Sequence, residues 1–501
     1  MKGRLVATVV ILHTNDLHGH LTPWQGWQDD LRGKTVGGLG RLAGAIGQVR
    51  QEAGKNVLLL DAGDLIGDTM LADLTFGKAQ VAALNHLGYE ALTIGNHEPD
   101  FGIKTLRERI KEANFPTVAA NLVERNGGRL FTQPYLIKQV NGVAVGILGL
   151  AYPKTASTTA AKNVAEIEFQ EPVAAVKRYL PKMRDEGAQI AVVLSHLGLS
   201  GDQHLARSVA EIDVIVGGHS HNRMDQTEQV GGTLIVQAGA HGSDLGRLDL
   251  TIEHGKITAH RRTLIPLDHE RVPADAAAER LVHELLAPHR AALDEVVGEA
   301  SGWLVRAQTL AGQKARKRTE ESAIDSLFAD ILREETQADI AFLPGVGYGV
   351  AIPPGPITAA RLRQMAPHDA AVVTMRLSGS RIVEVLEQAV ENCYTEDPAR
   401  KVGGMVQVSG LRFRYDPAMA RDHRIVHVEL NRGRWDAAAD YQVATNGLLA
   451  QGGHHYGSFK YAESVREHNS QYETIRLWMG RHSPVSTPAP GRIARVEDLR
   501  K

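Results

Sequence analysis

Cysteine is nearly missing from this chain of 501 residues, where Cys393 stands alone. One thiol excludes an intramolecular disulfide and leaves a thiolate metal site one ligand at most. The residue reads as a buried thiol. An excess of either charge is missing too. Lys and Arg number 56 against 58 Asp and Glu, a net charge of −2. That balance gives no support for a nucleic-acid polymer or a polybasic membrane contact. No run of about 18 apolar residues occurs, so no transmembrane helix and no membrane partner are expected. The opening "MKGRLVATVVILHTND" places Lys2 and Arg4 before an apolar run, but the run is short and lacks a small-residue cleavage site. We read residues 6–12 as a buried strand and expect a cytoplasmic protein. Internal repeats and low-complexity tracts are absent as well.

What the chain does have is length for two or three domains and 22 histidines. Its first half alternates short β-branched runs ("VATVVIL", "NVLLL", "ALTI", "TVAA", "VAVGILGL", "IAVVLS", "DVIVGG") with helix-like stretches at 39–52 and 78–87. Such alternation predicts an α/β domain. A hairpin turning at His254 and Gly255 closes that domain near residue 268. Residues 269–300, rich in Ala, Leu, Glu and Arg, read as a connecting helix. A second α/β region spans 301–484, and the Pro/Ser-rich 485–501 reads as a loose tail.

Five polar clusters follow five of the apolar runs. They carry Asp16 and His18, then Asp64, then Asn96, His97 and Asp100, then His196, then His219 and His221. Loops at the carboxyl ends of strands in such a sheet share one edge, so distant clusters can meet there. Asp16 and His18, like His219 and His221, are two residues apart, which in an extended chain puts both on one side. Asp, Asn and His together suit a divalent cation taking oxygen and imidazole nitrogen. Seven candidate ligands exceed the needs of one ion and suit two, about 4 Å apart. Histidine-rich ligation favours manganese, zinc, cobalt or iron over magnesium.

The ordered set D-x-H, GD, GNHE, H, GHSH resembles the calcineurin-like metallophosphoesterases. "ILHTNDLHGHL", "GNHEPDFG" and "QAGAHGSDLGRLDL" narrow the resemblance to the 5'-nucleotidase and UDP-sugar hydrolase branch. It implies a four-layer α/β/β/α dimetal domain followed by an α/β substrate domain. It implies hydrolysis of phosphate esters of small molecules by metal-activated hydroxide. By motif position, Asp16, His18, Asp64 and His221 would hold one ion. Asp64, Asn96, His196 and His219 would hold the other, with Asp64 shared. His97 would contact the phosphoryl oxygen, oriented by Asp100, while Glu98 serves structure. Pro99 replaces the bulky apolar residue usual there.

The second half departs further from the family. "LPGVGYG" puts Tyr348 near the position of a phosphate-binding Arg, and "APHDA", around Pro367, replaces a Pro-Phe-Gly-Asn motif. Met405 takes the place of one base-stacking aromatic, and Tyr456 is expected to offer the other face. Arg318 fits the R-x-x-E position, and His454 and His455 are candidates to line a pocket. "LPGVGYG", the stretch around Cys393 and "GAHGSDLG" also resemble the thiosulfohydrolase of bacterial sulfur oxidation, which would imply a sulfur-carrier protein as partner. A non-catalytic binding module is the weaker alternative, since none of the seven ligands is missing.

Overall fold

The computed structural model describes residues 6–499 apart from 28, 307–317, 348, 368, 396 and 398–402. The chain forms two compact units. The first holds the residues up to Trp24 together with Lys34–Arg290. The second holds Gln25–Gly33 together with the residues from Ala291 onward.

In the first unit β1 (Val6–Thr14), β2 (Val57–Asp61), β3 (Ala91–Thr93) and β4 (Thr117–Val118) run parallel. β5 (Tyr135–Val140), β6 (Val143–Leu150), β7 (Ile190–Ser195), β8 (Val214–Gly217), β9 (Glu228–Val230) and β10 (Thr233–Val236) build a second sheet, ordered β9-β10-β8-β7-β6-β5. Within it β6, β7, β8 and β10 are parallel. The hairpin of β11 (Asp244–Glu253) and β12 (Lys256–Pro266) returns to the free edge of β1, giving the first sheet the order β12-β11-β1-β2-β3-β4.

Alternation along the strands creates the layers. Val9, Ile11, Leu58 and Leu60 face Val145, Ile147, Val192, Leu194, Val214 and Val216 between the two sheets. Val10, Leu12 and Leu59, one residue out of phase, pack on the helices α1 (Leu39–Ala53) and α2 (Lys78–Leu87). On the far side Leu148, Leu150, Ala191, Val193 and Ile215 pack on α3 (Pro172–Asp185) and α4 (Leu199–Ser208). The period of two thus buries both faces of the central strands, which is why these runs read as continuously apolar. The result is the expected four-layer α/β/β/α arrangement.

Two boundaries differ from the sequence reading. The helix expected over 269–300 is shorter: α5 (Ala276–Leu286), capped by Asp275, whose side chain accepts from Ala278 N at 2.8 Å, is followed by a 3-10 turn (Ala287–His289) and one short helical turn (Arg290–Leu293). α5 belongs to the first unit, where Ala278 and Val282 join the core beside α1. Val296–Ala300 is instead a strand of the second unit, paired with Gly355–Thr358. The tail is not loose either. Ile493–Arg495 pairs in parallel with Leu411–Tyr415, and Arg492 donates to both oxygens of Asp330 at 2.8 and 2.6 Å. Composition points to a linker, but a half-buried guanidinium and a sheet edge far back in the chain hold the segment.

The second unit centres on a five-stranded sheet ordered Gln407–Ser409, Ile340–Leu343, Asp440–Asn446, Ala371–Ser378, Glu463–Ser470. The helix α6 (Ala323–Thr336) lies against one face and α7 (Gly379–Tyr394) against the other. Among the described residues no helix is long and apolar enough to cross a membrane.

Candidate metal centre

Each donor loop of the first unit leaves the carboxyl end of a parallel strand. Asp16 and His18 follow β1, Asp64 follows β2, and Asn96 and His97 follow β3. From the other sheet His196 follows β7, and His219 and His221 follow β8. The seven residues predicted as ligands come together. Ligand atoms of Asp16, His18 and His221 lie within 4.8 Å of one another, and so do those of Asp64, His196 and His219. Asn96 completes the second group, its Oδ1 lying 2.8 Å from His219 Nδ1. Asp64 Oδ2 stands 3.0 Å from His196 Nε2 and 3.8 Å from His18 Nε2, so its carboxylate touches both groups.

The loops do not achieve this by extended pairing. Asp16, His18, Asp64, His219 and His221 all hold positive φ, between 46° and 70°. Asp and His visit this left-handed region more readily than most residues, yet it still costs free energy. The two-residue spacing is therefore a sound pointer with the wrong geometry: tight turns aim these side chains, not a strand. Backbone bonds pin the turns. Asp16 N donates to Gly63 O at 2.9 Å and His18 N to Asp64 O at 2.8 Å.

Glu98 does what was expected of it. Its buried carboxylate accepts from Asp64 N (3.1 Å), Leu65 N (2.7 Å) and Gly95 N (2.6 Å), tying the second donor loop to the third. Gly95 is needed there because a Cβ would sit 2.1 Å from Asp64 Oδ1. Burial raises the Glu98 carboxyl to about 7, against the pull of His196 and the backbone amides.

Electrostatics follow from burying acids among imidazoles. Burial works to raise Asp64, but His196, His97 and His18 overcome it and hold the carboxyl well below its usual range. Burial works to lower His196, and Asp64 with Asp16 carries it up to about 10. His196 Nδ1 lies 2.7 Å from the Ala62 carbonyl, so that nitrogen donates and Nε2 faces the acids. His18 Nε2 and His221 Nε2 converge to 3.0 Å. Imidazole nitrogens and carboxylate oxygens meeting without a thiolate form the donor set a divalent first-row cation takes. The residues fit the expected ions.

Beside them His97 Nδ1 lies 2.6 Å from Asp100 Oδ2. The dyad is itself held: Thr159 Oγ1 donates to Asp100 Oδ1 at 2.8 Å, and Asn163 Nδ2 to Asp100 O at 2.6 Å. Burial tends to lower His97, but Asp100 and Asp64 raise it well above the ordinary imidazole value. Pro99 is accommodated without breaking this geometry.

Sequence reasoning missed several neighbours. Asp68 lies 3.3 Å from His18 Nδ1. Tyr152 stacks on His219 with ring centroids 3.9 Å apart. His241 packs against His18, His221 and His20, and its backbone N–H donates to Asp16 O at 2.8 Å. The second Asp of "GDLIGD" and the His of "GAHGSD" were the available signals, each just past a strand.

One buried carboxyl behind the site sets a pH dependence. Asp202, on α4, accepts from Ser195 Oγ at 2.5 Å and is raised by burial to about 8. A carboxyl whose folded pKa exceeds its unfolded one stabilises the fold while it keeps its proton. Its contribution is complete below about pH 4 and is lost as pH rises through about 8. The stability difference between wild type and Asp202→Asn should therefore shrink, or change sign against wild type, from pH 5 to 9 in urea titrations. Parallel curves would remove Asp202 as a source of the slope.

In the second unit Arg318, Met405 and Tyr456 are neighbours. Met405 N donates to Arg318 O at 2.8 Å, and the Tyr456 hydroxyl donates to Gly404 O at 2.6 Å. The expected stacking role is corrected by burial: Met405 and Tyr456 are each 0% exposed and pack in the core with Phe342 and Phe459. Neither presents a face to a base. Arg318 is half-buried, and Cys393 is a buried thiol donating to its carbonyl at 3.2 Å. His454 is buried and His455 exposed, and Pro367 is buried. Tyr348 lies outside the described residues.

Comparison with known proteins agrees with this architecture. Residues 9–223 match the calcineurin-like phosphoesterase family, and residues 296–461 match the 5'-nucleotidase C-terminal domain. The trifunctional nucleotide phosphoesterase protein YfkN of Bacillus subtilis is 28% identical over 90% of this chain, which spans about a third (32%) of that longer protein. A 5'-nucleotidase precursor from Thermus thermophilus is 29% identical with a TM-score of 0.85, covering 97% of this chain and 99% of that one. The sulfate thiohydrolase SoxB of the same organism superimposes with a TM-score of 0.86 at 23% identity, covering 97% and 96% of the two chains. At that identity the likeness concerns the fold.

Proposed function

We propose that this chain, a metal-dependent phosphoric ester hydrolase matching the calcineurin-like phosphoesterases and the 5'-nucleotidase C-terminal domain, cleaves phosphate esters of nucleotides and related small molecules with little preference among bases. The observation that carries the first part is the convergence of seven N and O donors beside a preorganised His97–Asp100 pair. Asp16, His18, Asp64 and His221 would hold one ion, and Asp64, Asn96, His196 and His219 the other. When bound, the ions supply positive charge to the phosphoryl oxygens and acidify the attacking water.

The chain's own residues do the rest. Asp100 accepts the Nδ1 hydrogen of His97 and fixes the ring, which leaves Nε2–H to donate to a phosphoryl oxygen as charge builds there. Thr159 keeps the Asp100 carboxylate from rotating away, and Asn163 holds the Asp100 backbone carbonyl. Glu98 keeps Asp64 and Asn96 on adjoining loops.

Weak base preference rests on the burial of Met405 and Tyr456. Stacking on an aromatic is worth about 1–3 kcal/mol per base, and these two side chains cannot provide it from inside the core. Hydrolysis of the four nucleoside monophosphates, a nucleotide sugar, p-nitrophenyl phosphate and S-sulfocysteine, each with manganese, tests the reading. We expect kcat/KM values for the four bases within about tenfold of one another, a spread of about 1.4 kcal/mol. A micromolar KM for one nucleotide with sharp base preference would refute weak selectivity. Cleavage of S-sulfocysteine alone would replace the proposal with the thiosulfohydrolase reading.

A further inference from the structure

Asp68 stands behind His18, on the side away from the converging ligand atoms. Its Oδ2 is 3.3 Å from His18 Nδ1, while His18 Nε2 points at His221 Nε2 (3.0 Å), Asp16 Oδ1 (3.8 Å) and Asp64 Oδ2 (3.8 Å). Both side chains are buried, Asp68 at 3% exposure and His18 at 0%. The carboxylate also reaches the catalytic histidine: donor atoms of His18, Asp68 and His97 all lie within 4.8 Å of one another, and the His18 and His97 rings meet edge to face at 5.1 Å.

The backbone holds Asp68 in this place. It adopts φ 53°, directly after Gly67 at φ 120° and directly before Thr69. Thr69 opens the next helix, its side chain accepting from Ala72 N and its own N–H donating to Gly67 O at 2.7 Å. A strained backbone and a buried acid are both costly, and neither is needed to fill space. An acid here has a use only for what it does to the rings it faces.

We propose that Asp68 is a positioning residue for the metal centre. Its carboxylate takes the Nδ1 hydrogen of His18, which fixes the ring with its Nε2 lone pair toward Asp16, Asp64 and His221. An acid behind an imidazole also makes that imidazole a stronger ligand. His196 has the neutral Ala62 carbonyl in the equivalent place. The two histidines are thus set differently, and the ion held by His18 is the one Asp68 governs. This assignment rests on the dimetal reading above.

The test is titration of the metal-free protein with Co2+, followed by visible absorption and by competition with a chelator, for wild type, Asp68→Ala and Asp68→Asn. Far-UV circular dichroism and thermal melting of the metal-free forms run alongside. Asp68→Ala should weaken one of two Co2+ sites about 10–100-fold, alter the absorption of that ion, and leave the other site unchanged. Asp68→Asn should lose less, because its amide oxygen still accepts from Nδ1. The metal-free melting temperatures should stay close to wild type. The proposal is overturned if folded Asp68→Ala binds both ions as wild type does. It is equally overturned if both sites weaken together with a lower metal-free melting temperature, the mark of a packing role. Fewer than two Co2+ bound by the wild type would instead overturn the dimetal reading itself, and with it the premise of this one.

Discussion

Asp64→Asn should strip the protein of both bound ions and lower phosphomonoester hydrolysis by roughly 10³-fold or more, beyond the loss of a single preorganised charge-stabilising group. The substitution keeps the shape of the side chain, and the amide oxygen can still accept from His97 N, as Asp64 Oδ1 does at 2.8 Å. What disappears is a negative charge that stands 3.0 Å from His196 and 3.8 Å from His18, nearer to His196 than the carboxylate of Asp16, which lies 3.8 Å from both. Each cation would lose a neutralising partner at once. His221→Ala, by contrast, removes a donor that belongs with Asp16 and His18 alone, and should cost mainly one ion. Metal content after gel filtration, read beside turnover of p-nitrophenyl phosphate, separates the two. Two ions retained by Asp64→Asn would show that the carboxylate is not shared. Prolonged chelation of the wild type should reproduce the loss, with activity restored by manganese.

His97→Ala should leave both ions in place and still lower turnover by about 10²–10³-fold, the range for deleting one donor aimed at developing charge. The ring lies beside the ligands and is anchored by Asp100 at 2.6 Å. Its backbone N–H, which bonds Asp64, survives the substitution. Asp100→Asn should cost less, because the imidazole remains while its orientation loosens. Thr159→Ala, one bond further out, should cost less again. Normal turnover in His97→Ala, with full metal content, would remove His97 from the chemistry.

The donor loops could be read from the sequence because each sits just past a buried β-branched run, and parallel strands send such loops to one edge. Their conformation could not. Nothing in "NDLHGH" distinguishes an extended segment from turns at Asp16 and His18 with φ 53° and 46°; that choice is made by bonds to Gly63 and Asp64, on the loop after the next strand of the sheet. The same non-local logic defeated the reading of the second unit. Met405 looked like a surface contact in sequence, but it is buried in a core shared with Tyr456, which comes from another part of the chain and bonds the neighbouring Gly404 carbonyl. The tail looked like a linker until Asp330 and the strand Leu411–Tyr415 supplied partners. Asp68 went unnoticed because an acid after a glycine is ordinary turn composition, and its partner ring lies on an earlier loop.

The left-handed backbone at the ligands divides the molecule for anyone who would engineer it. Phe76 (φ 50°) and Gln337 (φ 55°) also occupy that region, as left-handed caps at helix ends with no part in the donor set. There a glycine relieves strain and removes only a surface-facing or neighbouring side chain. At Asp16, His18, Asp64, His219 and His221 the identical swap would relax the backbone and delete a candidate metal ligand. Thermal robustness should therefore be easier to raise at the helix ends than at the donor loops, where the strained backbone and the side chains that would hold the ions are the same residues.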